Sequence, residues 1–265
     1  MGALLALASA LAYGIADYAG GLLSRRVHFG TVAFLGQVGG LVFMLAVAPF
    51  VPGPVEVDGL LWGALSGVGT GVGMLFLFRG ISRGAMSVVV PVSAVGGVAL
   101  PVLVGVALLG DRPTVLAWTG IAVAVPALWL VARTRGPAKP DGLTDALLAS
   151  VGIAVQYLAL APVDAGLWPM VAGRAAAALV VLPAVRGPVT AVLPSAACGA
   201  LAALALTCYL LATWHQLVTV AVVLSSLYPA VPVLLGITLL HERVTRWQVC
   251  GLVCAGTAIG LLALG

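Results

Sequence analysis

Pro101-Val102-Leu103-Val104-Gly105-Val106-Ala107-Leu108-Leu109-Gly110-Asp111-Arg112-Pro113-Thr114 returns 131 residues later as Pro232-Val233-Leu234-Leu235-Gly236-Ile237-Thr238-Leu239-Leu240-His241-Glu242-Arg243-Val244-Thr245. The match extends outward from this stretch. Val89 falls on Val220, Val92 on Val223, Ala99 on Ala230 and Gly120 on Gly251, so Ser87–Ala132 repeats as Val218–Ala263. Apolar composition alone does not keep a Pro, two Gly and an acidic-Arg-x-Thr loop in register. The chain reads as a duplicated half.

Both halves are apolar. The 265 residues are 62% hydrophobic and 8% charged, with a mean hydropathy of +1.21, far from a soluble domain. About 20 apolar residues cross a bilayer as a helix. Ten such spans are predicted, at 3–23, 30–50, 59–79, 86–109, 115–132, 143–161, 167–185, 190–212, 217–240 and 247–264. Short segments of alternating polarity, the mark of a membrane β-barrel, are absent. The first span lacks a basic leader and a cleavage site, so it reads as a retained helix. The six tryptophans, at 62, 118, 129, 168, 214 and 247, all fall near span ends, where indoles favour the headgroup region.

The fold expected is therefore all-α and membrane-embedded, with ten transmembrane helices in two five-helix repeats. Repeat 1 covers residues 1–135, a polar linker 136–141, and repeat 2 residues 142–265. Five is odd, so the second copy enters the membrane inverted. Loop charges agree: Arg25 and Arg26 in the first loop face only Asp164 in its counterpart, and Arg79 and Arg83 in the third face His215. Ten of the twelve Lys and Arg residues lie in odd-numbered loops or the linker. The positive-inside rule makes those loops cytoplasmic and both termini external. The net charge of +4 is thus topological and not a nucleic-acid footprint.

With the inverted repeat in hand, the chain resembles the drug/metabolite transporter superfamily, specifically the bacterial ten-helix proteins of the EamA type. The resemblance rests on the duplicated Pro–acidic-Arg-x-Thr–Gly segment, and on Tyr13-Gly14-Ile15-Ala16-Asp17, Ser24-Arg25-Arg26, Met86-Ser87-Val88-Val89-Val90-Pro91 and Ser226-Leu227-Tyr228-Pro229-Ala230. The chain departs from the family pattern at Asp111, where Glu is usual, at His241, where Gly is usual, and at Gln37, where the Arg found in the second copy as Arg174 is usual. Many relatives are thought to have cytoplasmic termini, opposite to the charge count. The resemblance implies secondary transport of a small metabolite, with export of amino acids, related metabolites or toxic compounds.

Several residues carry chemistry inside the spans. Asp17 reads as the one carboxylate well inside a span, where an ionised group costs about 2.5–3.5 kcal/mol and is normally paired, turned inward or functional. Gln37 lies at similar depth, so the two read either as a hydrogen-bonded packing contact or as part of a substrate or proton site, with Tyr13 beside them. Arg174 is a partner for Asp17 or an anionic substrate group, or a side chain that snorkels to the headgroups. Gln156 and Tyr157 read equally as cavity lining or as helix-to-helix glue. Ser225, Tyr228, Pro229 and Pro232 form the densest polar, Pro-bearing stretch, matched in repeat 1 by Pro91 and Pro101. Paired helix breaks point to a transporter's central site or its hinges, or else to simple kinks. Asp111 and Glu242 read as structural, each suited to the start of the following helix, which Thr114 and Thr245 cap.

No constellation supports catalysis, a cofactor or a metal. His28, His215 and His241 are isolated, and the four cysteines read as packing residues. The function expected is a secondary active transporter that exports a small polar or amphipathic metabolite across the cytoplasmic membrane by alternating access, with Asp17 binding either a coupling proton or a cationic group of the substrate. A flippase for a lipid-linked head group is the alternative, and a membrane enzyme a weaker one. The partners expected are a small-molecule substrate, the bilayer and protons, but no nucleic acid, for a monomer or homodimer.

Overall fold

A computed structural model describes residues 1–51, 53, 55–105, 107, 114–132, 141–161, 163, 166–215, 224–225 and 227–264. Among them the chain is all-helical. The helices are α1 (Gly2–Ser24), α2 (Phe29–Val47), α3 (Val57–Arg83), α4 (Met86–Val104), α5 (Val115–Ala132), α6 (Asp141–Leu160), α7 (Trp168–Val181), α8 (Val192–His215), α9 (Ala230–Thr238) and α10 (Arg246–Leu264). Six of these ten, α1–α4, α6 and α8, are long and apolar enough to cross a membrane, and α5, α7 and α10 are shorter apolar helices. The linker from 136 to 140, Asp111 and Arg112, Asp164 and Ser226 lie outside the described residues.

Lipid tails are as apolar as leucine, so close backbone approach, and not hydrophobic burial, holds such a bundle together. Glycines permit it. On α3, Gly63, Gly67 and Gly71 recur every fourth residue and meet Pro169, Gly173 and Ala177 of α7. Gly69 and Gly73, offset around the same helix, meet Gln156, Gly152 and Ile153 of α6. On the other side, α8 packs on α1 and α2, with Gly199 seated on the Gly36 backbone and Gly39 on Ala196. α4 packs on α6, α9 on α4 and α1, and α5 on α10. In the last pair Gly120 meets Ala258 and Leu262, while Gly251 meets Leu130 and Val131, so the two helices run antiparallel.

Contacts gather the odd-numbered loops at one end of the bundle. Arg25, after α1, donates to the carbonyls of Ile81 and Gly84 at the α3–α4 turn and to Glu242 after α9. Thr31, opening α2, donates to the Arg186 carbonyl in the α7–α8 loop at 2.9 Å. Gly142, opening α6, abuts Gly80 and Gly84. Arg25, Arg186 and the α3 end that carries Arg79 and Arg83 therefore share an end.

Three expectations change here. Arg79 and Arg83 are not in a loop: α3 continues through both, and its 27 residues reach about 40 Å, beyond the ~30 Å hydrocarbon core. Asp17 is not alone as a buried carboxylate. Asp145, in the second turn of α6, is 1% exposed and receives Arg79 at 2.6 and 2.8 Å, with Arg83 at 3.6 Å. Glu242 does not serve the helix that follows it. Its two carboxylate oxygens accept the backbone N–H groups of Met86 and Ser87, each at 2.9 Å, at the α4 N-terminus, whose N-cap Ala85 supplies no side-chain bond. The threonines do cap as expected: Thr114 accepts from Ala117, and Thr245 exchanges bonds with Gln248 in a capping box. His241 takes a φ of 52°, which explains the family's Gly, and the Glu242 N–H then reaches the Gly236 carbonyl at 3.1 Å.

Two outcomes follow. Arg79→Met strands Asp145 with only the longer Arg83 contact, and is expected to cost about 3 kcal/mol, whereas Arg83→Met costs about 1 kcal/mol or less. Thermal unfolding in detergent separates the two; equal losses would contradict the assignment. Burial opposes ionisation of Glu242, but the backbone N–H groups of Ser87 and Met86, the Ser87 hydroxyl and Arg25 outweigh it and hold the carboxyl below its ordinary value. The unfolded chain therefore takes up this proton first on acidification. Stability from this group is complete above the ordinary carboxylate range, near pH ~4, and is lost as pH falls through and below it. Glu242→Gln is expected to start less stable at neutral pH and to lose less on acidification; parallel pH profiles would refute this.

Candidate functional site

A cavity of about 70 Å³ lies among six helices, three from each half of the chain. α1 contributes Tyr13 and Asp17, α2 Gln37, and α3 Thr70 above an apolar floor of Met74 and Phe78. From the second half come Gln156 on α6, Arg174 on α7, and Ser195 and Cys198 on α8. The glycine contacts explain why these side chains converge. Gly36 and Gly40 flank Gln37 on the face of α2 that touches α8, and a side chain at Gly40 would strike the Arg174 Cδ and Nε.

Asp17 is buried and has no hydrogen bond or ion pair among the described residues. It does not bond to Gln37. The Gln37 side chain, 2% exposed, instead accepts from Arg174 Nη1 at 3.0 Å. Depth alone suggested the Asp17–Gln37 contact; a guanidinium arriving from α7 takes the amide oxygen because a charged donor makes the stronger bond. Arg174 is thus turned inward and does not snorkel.

The remaining candidates separate. Gln156 lines the cavity, but Tyr157, the next residue, is 47% exposed and does not. Ser225 is occupied by the Ala6 carbonyl of α1 at 3.3 Å. Tyr228 lies beside the cavity, its ring 6.1 Å from that of Tyr13. Its backbone and Val231 press on α1 where Gly14 leaves no room for a side chain. Pro229 ends a turn over residues 227–229 and N-caps α9, and Pro232 falls in the first turn, where a missing N–H costs little. The break is one-sided, because α4 runs unbroken through Pro91 and Pro101.

A model of the EamA-like transporter family matches residues 1–133, half of the chain. The chain belongs to the EamA-like transporter family. This places it in the drug/metabolite transporter superfamily, whose EamA members are transporters, and makes it a multi-pass membrane protein. A solved crystal structure is similar in fold over 97% of this chain and 95% of its own, with a TM-score of 0.51 and 20% identity. No curated protein matches the sequence.

Within this EamA chain, the cavity residues that the sequence did not single out include Thr70, Met74, Phe78, Ser195 and Cys198. Ser195 had a weak signal, a hydroxyl among Leu, Pro and Ala at the start of an apolar helix. It is fully buried and its Oγ has no hydrogen-bond partner among the described residues. Thr70 satisfies itself on the Ser66 carbonyl of its own helix, which is why its sequence context looked ordinary.

Proposed function

We propose that the protein is a secondary active transporter that carries a small polar or amphipathic metabolite out across the cytoplasmic membrane by alternating access. The observation that carries this reading is Asp17: a buried carboxylate without a hydrogen bond or ion pair among the described residues, on a cavity bounded by helices from both halves of the chain. Such a group is costly in a membrane interior unless a proton, water or cargo satisfies it. A site between two halves is where rocking of one against the other changes its access.

The two halves are read as inverted five-helix repeats. Support comes from the pairings: α1 and α2 pack on α8 as α6 and α7 pack on α3, and α1 packs on α9 as α6 packs on α4. The antiparallel α5–α10 contact uses Gly120 and Gly251, the glycines that the 131-residue offset superposes. In this reading Asp17 holds a proton or a cationic cargo group, Gln37, Gln156 and Arg174 line the path, and the basic end is cytoplasmic. The test is a thermal-shift screen of metabolites on the purified protein, with binders carried into counterflow in liposomes. Saturable exchange is expected. Flux that rises linearly without saturation, or stabilisation by lipid-linked compounds alone, would overturn the reading.

A further inference from the structure

We propose that Arg174, oriented by Gln37, forms with Ser195 a subsite for a small monovalent oxyanion, so that the cargo bears a carboxylate. This rests on the reading of the cavity as the cargo site and names which group of the cargo binds where.

Arg174 has a neutral partner. Its one hydrogen bond among the described residues goes to Gln37 Oε1, an amide that orients the guanidinium without neutralising it. Three other arginines are held differently. Arg25 is paired with Glu242, and Arg79 and Arg83 share Asp145, although all three lie toward the polar end of the bundle. Of these four arginines, the one that lines the cavity is the one without a carboxylate among the described residues. Asp17 lines the same cavity yet makes no ion pair with it. A guanidinium offers a planar fork of five donors suited to a carboxylate, and one donor is used here.

The second observation is independent. Ser195, on α8, is 0% exposed, lines the cavity, and leaves its hydroxyl without a hydrogen-bond partner among the described residues. A buried hydroxyl without a partner costs about 1–3 kcal/mol, so its retention calls for a ligand atom or an ordered water. A donor hydroxyl and one guanidinium without a carboxylate partner among the described residues, lining the same cavity, match one negative charge. A dianionic phosphate would be left half-neutralised in a site that also holds Asp17. Gly40 leaves room for the arginine, since a Cβ there would sit 3.3 Å from the Arg174 Cδ and Nε.

Cys198, one turn beyond Ser195 on the same cavity wall, is a native reporter. With Cys208, Cys250 and Cys254 replaced by Ala, its modification rate is measured with 2-sulfonatoethyl methanethiosulfonate and with the trimethylammonioethyl reagent, each normalised to free cysteine. Gln37→Glu puts a carboxylate on Arg174 and is expected to lower the sulfonate-to-ammonium rate ratio at least ~10-fold, with Arg174→Gln doing the same if the first variant does not fold. Ser195→Ala is expected to keep or raise the melting temperature while weakening binding of carboxylate-bearing hits from the metabolite screen about 5-fold or more. A rate ratio unchanged by the Gln37 and Arg174 variants, or binders that are all neutral or cationic, overturns the subsite and leaves the transporter reading standing. Failure of both reagents to reach Cys198, with no metabolite bound, overturns both.

Discussion

Asp17→Asn is expected to reduce transport by about 10–100-fold, the value of hydrogen bonds to a charged group, while the melting temperature of the purified protein stays equal or rises. The direction of the second effect is what gives the prediction force. Asp17 has no hydrogen bond or salt bridge among the described residues, so its isosteric replacement breaks none of those bonds. Burying a charge without a partner is unfavourable, and neutralising it relieves that cost. A residue kept for packing would give the opposite pattern, lower stability with transport tracking the amount of folded protein. Counterflow per folded molecule, measured beside thermal unfolding, separates the two.

Gly199→Leu is expected to leave little folded protein. A Cβ on Gly199 would overlap the Gly36 carbonyl, a backbone atom that no rotamer change can move. Relief requires α8 and α2 to part, which opens the wall carrying Gln37, Ser195 and Cys198 and frees Gly39 from Ala196. The cost is expected to exceed the ~1–3 kcal/mol usual for overpacking, a loss of roughly 10 °C or more in melting temperature. Gly256 supplies the control, since a side chain there meets nothing within 4 Å. Gly256→Leu is expected to change stability by less than ~0.5 kcal/mol. Similar behaviour of the two variants on size-exclusion chromatography would contradict the account of how this bundle is held.

The fold was legible because membrane helices declare themselves by length and apolarity, each needing about 20 residues free of charge. The loop threonines were legible too, since capping is local and Thr245 needs only Gln248 three residues on. Contacts between distant segments were not. Glu242 looked like a cap for the next helix, yet it serves α4, 156 positions back in sequence at Met86. Asp145 escaped notice because its two arginines come from the far end of α3. The site was half legible. Asp17, Gln37 and Arg174 stood out as polar groups in apolar spans, but which of them bond depends on how α2, α7 and α8 cross, and no single span records that. Ser195 and Cys198 were hidden because small residues on an apolar helix read as packing until a cavity is seen beside them.

The central claim is that cargo passes through the cavity beneath Asp17. Cys198, on its wall, allows that claim to be tested by blocking it. In protein that keeps only this cysteine, a saturating concentration of a transported metabolite is expected to slow its labelling by a bulky maleimide, and fully labelled protein is expected to have lost counterflow. Undiminished counterflow through fully labelled protein, with labelling indifferent to the metabolite, would contradict it.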